Sequence, residues 1–213
     1  IVLTGMVVGE KYLKFIPKEQ ACAAMGLLTT MPTVLISGGR RGVLVSKELF
    51  KILIRSPKSF QVAVVCGKNI ELKTDLEKIS SPPRHPVKIF SFIENQDVLM
   101  SAVNVLVSKP GGPTIAEAVA KKLPVVLIDA HPGHEQANIE YLVRHNIVAY
   151  GRIAREAAFL VEKALTANTT KQATINFEKL IHPPGAHNIV EAIDLIAPPP
   201  KNPPIKSYLE EEN

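Results

Sequence analysis

Residues 103–121 read VNVLVSKPGGPTIAEAVAK: a short apolar run, two glycines between prolines, and then a pattern of helical period. The apolar run at 103–108 is rich in valine and is typical of a buried strand. Pro113 suits the first turn of a helix, because proline has no N–H to leave unpaired there. The stretch therefore predicts a strand that passes through a glycine turn directly into a helix.

The same order, a short apolar run and then a polar segment of helical period, recurs along the chain. The six runs are TVLIS (33–37), FQVAVVC (60–66), VKIFSF (87–92), VNVLVS (103–108), PVVLIDA (124–130) and IVAY (147–150). Runs without strict apolar-polar alternation are typical of strands covered on both faces. Strands that alternate with helices of roughly 10–15 residues imply right-handed βαβ units. We therefore predict an α/β protein with a Rossmann-like, doubly wound parallel sheet.

The chain divides into three parts by composition. Residues 31–197 hold all the repeating units and form the predicted Rossmann-like domain. Residues 1–30 are expected to be a lead-in segment that packs on the domain, with a helix around 17–28. Residues 198–213 are rich in proline and then acidic, which predicts an extended tail without a core. Because the chain opens IVLTG without a methionine, we expect it to be a fragment of a longer protein.

Composition excludes some functional classes. No run approaches the roughly 18 consecutive apolar residues of a membrane helix. The net charge of +5 is mild and the basic residues are scattered. With no tryptophan and no interleaving of basic and aromatic residues, we expect no nucleic-acid partner. Cys22 and Cys66 lack CxxC spacing, and Cys66 ends an apolar run, which indicates reduced thiols and a reducing compartment.

In an open parallel sheet, ligands bind beyond the carboxyl ends of the strands, so we expect binding residues in the turns that follow the apolar runs. The first, GGRRG, begins with Gly38, Gly39 and Arg40. Glycine lets a backbone approach a ligand, and free N–H groups at a helix start attract anions. The same glycines also suit plain tight packing. Neither a Walker loop nor the GxGxxG dinucleotide fingerprint is present.

The second turn, KPGGPT, carries a stronger signal. It contains Gly111 and Gly112, and Pro113 and Thr114 follow them. Thr114 offers both a hydroxyl and a backbone N–H at the positive end of the predicted helix. Glu117, one turn further, is placed to accept hydrogen bonds from both hydroxyls of a ribose whose phosphates lie at the helix start. The alternative is an ordinary helix start with a favourably placed acidic residue.

The third turn, HPGHEQAN (131–138), has the residue types of a metal site. However, Pro132 and Gly133 break any helix between His131 and the next histidine, so the two do not share a face as in HExxH. We therefore expect no metal. The polar residues suit hydrogen bonding to several hydroxyl groups, with a plain polar helix cap as the alternative. These residues are His134, Glu135, Gln136 and Asn138.

Two blocks, PGG-x-T-x-x-E-A and PG-x-E-x-x-N, stand in the run from SFIENQ to EYLV (91–143), which follows VVCGKNIEL (64–72). Together these runs resemble the C-terminal nucleotide-sugar domain of family twenty-eight glycosyltransferases. The resemblance covers residues 2–197 and is greatest to the branch of diacylglycerol glycosyltransferases and monogalactosyldiacylglycerol synthases. The lipid-linked N-acetylglucosaminyltransferase that makes lipid II is more distantly similar. The resemblance implies the C-terminal half of a GT-B fold.

The resemblance also implies an activity: inverting transfer of a hexose from a UDP-sugar to a lipid acceptor, at a membrane surface, in a reducing compartment or a plastid. In this family an N-terminal domain supplies the acceptor site, the membrane contact and the general base. We therefore expect this chain to bind donor but to be inactive alone, without that domain or a partner subunit. A donor subunit of a lipid-linked N-acetylglucosaminyltransferase and a non-catalytic nucleotide-sugar-binding module remain the alternatives.

The resemblance assigns roles to the turn residues. It implies that Gly38 and Gly39 approach the diphosphate, that Gly112–Thr114 bind phosphate, and that Phe92 and Ile93 frame the uracil. It also implies that Glu117 holds the ribose and that His134, Glu135 and Asn138 reach the sugar. Gly111 and Gln136 complete the expected UDP-sugar-binding set. No metal cofactor is expected at the donor site. Arg40 stands where the branch tends to have glycine, so it either crowds the phosphates or adds a bidentate contact. His134 replaces the usual glutamine, which leaves the identity of the sugar open.

Overall fold

The computed structural model describes residues 2, 4–38, 47–79, 85–128, 134–166 and 185–197. The strands are β1 Thr33–Ser37, β2 Gln61–Val65, β3 Val87–Phe90, β4 Val105–Ser108, β5 Val125–Leu127 and β6 Val148–Tyr150. The helices are α1 Glu10–Leu13, α2 Lys18–Met25, α3 Lys47–Leu53, α4 Ile70–Glu77, α5 Gln96–Ala102, α6 Gly112–Ala120, α7 His134–Arg144, α8 Ala154–Thr166 and α9 Gly185–Ile196.

The strands form one sheet in the order β3-β2-β1-β4-β5-β6. Every neighbouring pair is parallel, and the strand order reverses between β1 and β4. This confirms the predicted doubly wound α/β fold. The turns that follow β1 and β4 therefore flank the switch point at which such sheets bind ligands.

Some strands are shorter than the apolar runs that predict them. The run at 87–92 continues beyond β3, which stops at Phe90 because its partner β2 stops at Val65. The last bond there joins the Cys66 N–H to the Phe90 carbonyl at 2.9 Å. Phe92 consequently lies in a turn rather than in the sheet, at the edge where ligands bind.

Two apolar clusters cover the two faces of the sheet, as a doubly wound fold requires. Leu35 and Leu106 contribute to the first cluster, with side chains from α1, α2, α5, α6 and α7. Val34 and Ile36 contribute to the second, with side chains from α3, α4 and α8. This alternation along β1 fixes the face toward which each later side chain of the strand points.

The lead-in segment contributes to the first cluster. The helix expected around 17–28 is α2, which ends at Gly26 in the left-handed conformation (φ 63°). The Leu27 N–H then donates to the Cys22 carbonyl at 2.9 Å, a frequent way to close a helix. Cys22 and Cys66 are both buried, free thiols. None of the helices in the described part of the chain is long and apolar enough to span a membrane.

Candidate functional site

Three of the turns singled out in the sequence follow neighbouring strands. β1, β4 and β5 lie side by side, so the turns after them leave the same edge of the sheet. Adjacent strands are about 4.8 Å apart, which brings these turns within reach of one small ligand. Of the first turn, Gly38 is described and is buried, whereas Gly39 and Arg40 lie outside the described residues.

No side chain of the described residues caps the start of α6. Gly111 is the N-cap and forms no side-chain cap bond, and Pro113 stands in the first turn. The first helical bond runs from the Ile115 N–H to the Gly111 carbonyl at 3.1 Å. Because the first N–H groups of a helix have no partner within it, those of Gly112 and Thr114 are offered at the positive end of the helix dipole.

Neither glycine of this turn is required by the fold. A Cβ on Gly112 would meet nothing within 4 Å, and one on Gly111 would meet only Lys109 Cε at 3.8 Å. Neither residue has a positive φ. At Gly151, by contrast, a Cβ would lie 2.5 Å from the backbone nitrogen of Ala157. Open space therefore faces the start of α6, as the close approach of a ligand to a backbone requires.

Two serines end the strands at the switch point. Ser37 and Ser108 are paired in the register of β1 and β4, and both are buried. Strand alternation places both on the face covered by α6. The Ser37 hydroxyl has no hydrogen-bond partner within the described ranges. Ser37 was not predicted, although the sequence contains a signal: the apolar runs 33–37 and 103–108 both end in serine.

Glu117 lies in the second turn of α6 and is half-buried. The Tyr12 phenol of α1 lies near its carboxylate. Burial raises the pKa of Glu117, and the contacts with Tyr12 and Lys11 oppose that rise. Burial, and then the Glu117 charge, raise the pKa of the Tyr12 phenol far above its usual range. The sequence analysis did not find Tyr12, because no motif or spacing links the lead-in segment to α6.

The residues of the third turn separate in the structure. The side chains of His134 and Glu135 lie outside the described residues. Gln136 is exposed, and its amide donates to the Glu140 carboxylate of the same helix at 3.3 Å. Asn138 lines a cavity of about 400 Å³ together with Gly112 of α6. The structure thus brings Asn138 and the glycine turn together, whereas Gln136 lies along the surface of α7.

The same cavity is bounded by residues that the sequence analysis did not single out. They include Thr4, Gly5 and Met6 of the lead-in segment and Tyr141 and Leu142 of α7. α9 holds the lead-in segment in place: the Asn188 amide donates to the Thr4 carbonyl at 3.0 Å. The lead-in segment therefore forms one wall of the candidate site.

Phe92 and Ile93 follow β3, at the other end of the sheet order. β3 is two strands from β1, a distance of roughly 10 Å. Phe92 is 47% exposed, and Ile93 packs partly against the first apolar cluster. An exposed aromatic ring at this edge is available for stacking, and β2 and β1 separate β3 from the strand that leads into the glycine turn of α6.

No cluster of three or more His, Cys, Asp or Glu side chains suited to a metal ion occurs within the described ranges. His131 and the side chains of His134 and Glu135 lie outside that search. The expectation of a metal-free site therefore stays a prediction.

The sequence matches known proteins over most of its length. The family model described as Glycosyltransferase family 28 C-terminal domain matches residues 33–192. A processive diacylglycerol beta-glucosyltransferase from Bacillus cereus is 33% identical over 196 residues, which are 91% of this chain and 50% of that protein. A probable chloroplastic monogalactosyldiacylglycerol synthase 2 from Oryza sativa is 32% identical over 186 residues, 83% of this chain and 39% of that protein. The chain spans about half the length of the curated relatives it matches.

Solved structures agree on the fold. MurG of Acinetobacter baumannii superposes with a TM-score of 0.68 at 16% identity, over 86% of this chain and 55% of that one. WaaG, described as a glycosyltransferase involved in lipopolysaccharide biosynthesis, superposes with a TM-score of 0.62 at 20% identity, over 91% of this chain and 55% of that one. At these identities the likeness concerns the architecture alone.

Proposed function

The chain belongs to the glycosyltransferase family 28 C-terminal domain family, and on that premise we propose that it is the donor-binding half of an inverting, UDP-sugar-dependent glycosyltransferase with a lipid acceptor. The names of two relatives, a diacylglycerol glucosyltransferase and a monogalactosyldiacylglycerol synthase, support the lipid acceptor and a hexose donor. Such acceptors lie in membranes, so we propose that the whole protein acts at a membrane surface, in a reducing compartment or a plastid.

One observation carries the proposal: no side chain of the described residues caps the start of α6, which faces open space among them, and neither packing nor backbone conformation requires glycine there. A diphosphate fits this arrangement, because the N–H groups of Gly112 and Thr114 and the helix dipole all favour an anion. During transfer, negative charge develops on the departing UDP. Fixed donors at this point stabilise that charge without a metal ion.

We assign to the other residues the roles that the family resemblance implies. Gly38, and Gly39 and Arg40 after it, flank the diphosphate from the adjoining strand. Glu117 accepts from the ribose hydroxyls, and Phe92 and Ile93 frame the base. On the third turn, Asn138, with His134 and Glu135, contacts the sugar, whereas Gln136 is bonded to Glu140 on the surface of α7. The general base that activates the acceptor hydroxyl belongs to the half of the enzyme outside this chain.

Calorimetric titration tests the donor site directly. UDP, UDP-galactose, UDP-glucose and UDP-N-acetylglucosamine are titrated into the chain with a chelator and again with Mg²⁺ or Mn²⁺. We expect UDP to bind with the same affinity with and without metal. The order of the affinities for the three UDP-sugars should identify the donor. If no uridine nucleotide binds at millimolar concentration, the chain is not a donor-binding domain.

Gly112→Ala tests the assignment of the diphosphate. Because the added methyl meets no protein atom within 4 Å, the variant keeps its thermal midpoint. The methyl projects into the space that we assign to the diphosphate, so we expect the affinity for UDP to fall at least about tenfold. Unchanged binding by a folded variant would show that the phosphates lie elsewhere.

A further inference from the structure

An open groove of about 800 Å³ lies on the domain away from the donor turns. It is bounded by the segment between α1 and α2, by the end of α5 and by the end of α6, all in the described part of the chain. Asn104 and Pro124 line it, and they directly precede β4 and β5. The groove therefore lies toward the amino ends of these strands, whereas the donor turns leave the carboxyl ends.

Large apolar side chains are exposed beside this groove. Phe15 is 89% exposed and Leu13 is 48% exposed, and both line the groove. The buried side chains of Met100, Val103 and Leu123 line it as well. Exposed apolar side chains that continue into an apolar groove form a patch, and such a patch marks an interaction surface.

Lysines from distant parts of the sequence surround the patch. Lys14 and Lys18 come from the lead-in segment, and Lys121 and Lys122 follow α6. Among the residues that line the groove, all of which the structure describes, Glu19 is the one acidic side chain. The basic residues that are scattered in the sequence are thus gathered here by the fold, and the groove has a positive charge.

The lysines of the groove contact neutral groups. Lys121 Nζ donates to the Lys14 carbonyl at 2.7 Å, and Lys18 Nζ donates to Asn104 Oδ1 at 2.9 Å. None of these three lysines forms an ion pair with a carboxylate of the described residues. Burial lowers the pKa of Lys121, and an anion bound in the groove would oppose that fall. The positive charge is therefore available to an anionic partner.

From this combination we propose that the groove, with its exposed apolar side chains and its lysines, is a membrane-contact surface of this chain that binds bilayers containing anionic phospholipids. Phe15 and Leu13 enter the interfacial layer, and the lysines contact the phosphate headgroups. A protein partner fits less well, because lysine is depleted at protein–protein interfaces. The surface is separate from the donor site, so a membrane bound here leaves the donor turns open to a nucleotide from solution.

A tryptophan introduced at Phe15 tests whether this side chain enters a bilayer. The chain contains no tryptophan, so a single introduced one reports only its own surroundings. The matched control is Phe159→Trp, at a 68% exposed position of α8, on the opposite face of the sheet. Each variant is mixed with vesicles of phosphatidylcholine alone and with vesicles that also contain phosphatidylglycerol. We expect a blue shift of the emission for Phe15→Trp with the anionic vesicles, and no shift for Phe159→Trp.

Cosedimentation with the same vesicles tests the energetic contribution of the surface. Lys14→Gln/Phe15→Ser removes one charge and one exposed ring, and Lys51→Gln/Phe159→Ser makes the same two changes on the opposite face. All four positions are exposed, so both variants should keep the thermal midpoint of the wild type. One lysine at an anionic surface contributes about fivefold in affinity, so we expect the first variant to bind anionic vesicles at least about tenfold more weakly. The control should bind like the wild type, and salt should weaken the binding of both.

Other results would overturn the inference. A wild type that does not bind anionic vesicles, or that binds phosphatidylcholine vesicles equally well, would remove the role of the lysines. Equal affinities for Lys14→Gln/Phe15→Ser and its control, or an unshifted emission of Phe15→Trp on bound vesicles, would place the contact on another surface. Titration with UDP separates these failures from a failure of the proposed function, because the donor turns lie at the other edge of the sheet.

Discussion

Ser37 is a buried hydroxyl at the end of β1 that no described residue satisfies. A buried polar group without a partner costs free energy, so its retention at a switch point suggests a ligand as the missing partner. The neighbouring Gly38 leads directly into the first glycine turn. A hydroxyl on the α6 face, one strand from the glycines of α6, is well placed to meet the same diphosphate.

We predict that Ser37→Ala leaves the unfolding free energy unchanged or raises it by up to about 1 kcal/mol, because none of the described residues bonds to the hydroxyl. Ser56→Ala is the matched control. Ser56 is also buried, but its hydroxyl donates to the Glu162 carboxylate. Its removal should cost about 1.5–3 kcal/mol. Urea denaturation measures both variants. A large loss of stability in Ser37→Ala would show that the hydroxyl has a structural partner.

The residues that sequence could not identify share one physical property. Tyr12 and Ser37 owe their significance to neighbours that the fold supplies, and neither belongs to a recognisable block. Glu117 was found as an acidic residue one turn from a glycine turn, but its position beside Tyr12 depends on the packing of α1 on α6. Sequence thus predicts the residue types that a ligand needs, and the structure shows which of these residues lie close together.

At the level of elements, glycine turns look alike in sequence and differ in the structure. Gly151 joins β6 to α8, and a Cβ there would lie 2.5 Å from the Ala157 nitrogen and 2.6 Å from its Cα. Both atoms belong to the backbone of α8, so no side-chain movement relieves the contact. Gly151 is therefore a packing glycine, whereas Gly112 faces open space.

We predict that Gly151→Ala lowers stability by about 1–3 kcal/mol, because α8 must move away from β6. For a domain of this size, each 1 kcal/mol lowers the thermal midpoint by about 2–4 °C. Gly112→Ala is the control with the same chemical change, and it should melt at the temperature of the wild type. Thermal unfolding followed by circular dichroism compares them. Equal midpoints for the two variants would contradict the contrast between a packing glycine and a ligand glycine.

The repeating elements were predictable because each strand and helix is specified by its own residues. The runs rich in β-branched residues predicted the six strands. The ends of the strands differ from the ends of the runs by a few residues where the partner strand stops, as at Phe90. Helix α1 was not predictable. Its four residues, EKYL, have too little local preference to form a helix, and contacts with α6 and with the turn before α5 stabilise it.

At the scale of the whole molecule, strand order decides which turns meet. Sequence predicts that the turns of the first, fourth and fifth units each follow a strand, but their adjacency depends on the reversal between β1 and β4. That reversal brings the turns after β1, β4 and β5 to neighbouring positions and leaves Phe92 two strands away. The candidate site is therefore a product of topology, and the individual turns alone could not have defined it.

The lead-in segment belongs to the core, although the family match begins only at residue 33. Its buried side chains in the first apolar cluster are Tyr12, Ala21, Cys22, Met25 and Leu27. Full burial of a large apolar side chain contributes about 1.5–3 kcal/mol, so together these residues contribute on the order of 5–10 kcal/mol. Domains of this kind are stable by only about 5–15 kcal/mol, so the core cannot lose the segment without consequence.

We predict that a chain starting at residue 31 loses cooperative unfolding and binds the dye ANS, because the first apolar cluster is then open on the α5 and α6 side. A chain starting at residue 9 keeps α1 and α2 and loses the bond from Asn188 to Thr4, so it should unfold cooperatively. Near-ultraviolet circular dichroism during heating distinguishes the two. Cooperative unfolding of the shorter chain would mean that the sheet and its remaining helices are sufficient, and that the contacts of Tyr12 with α6 are an addition to a core already complete.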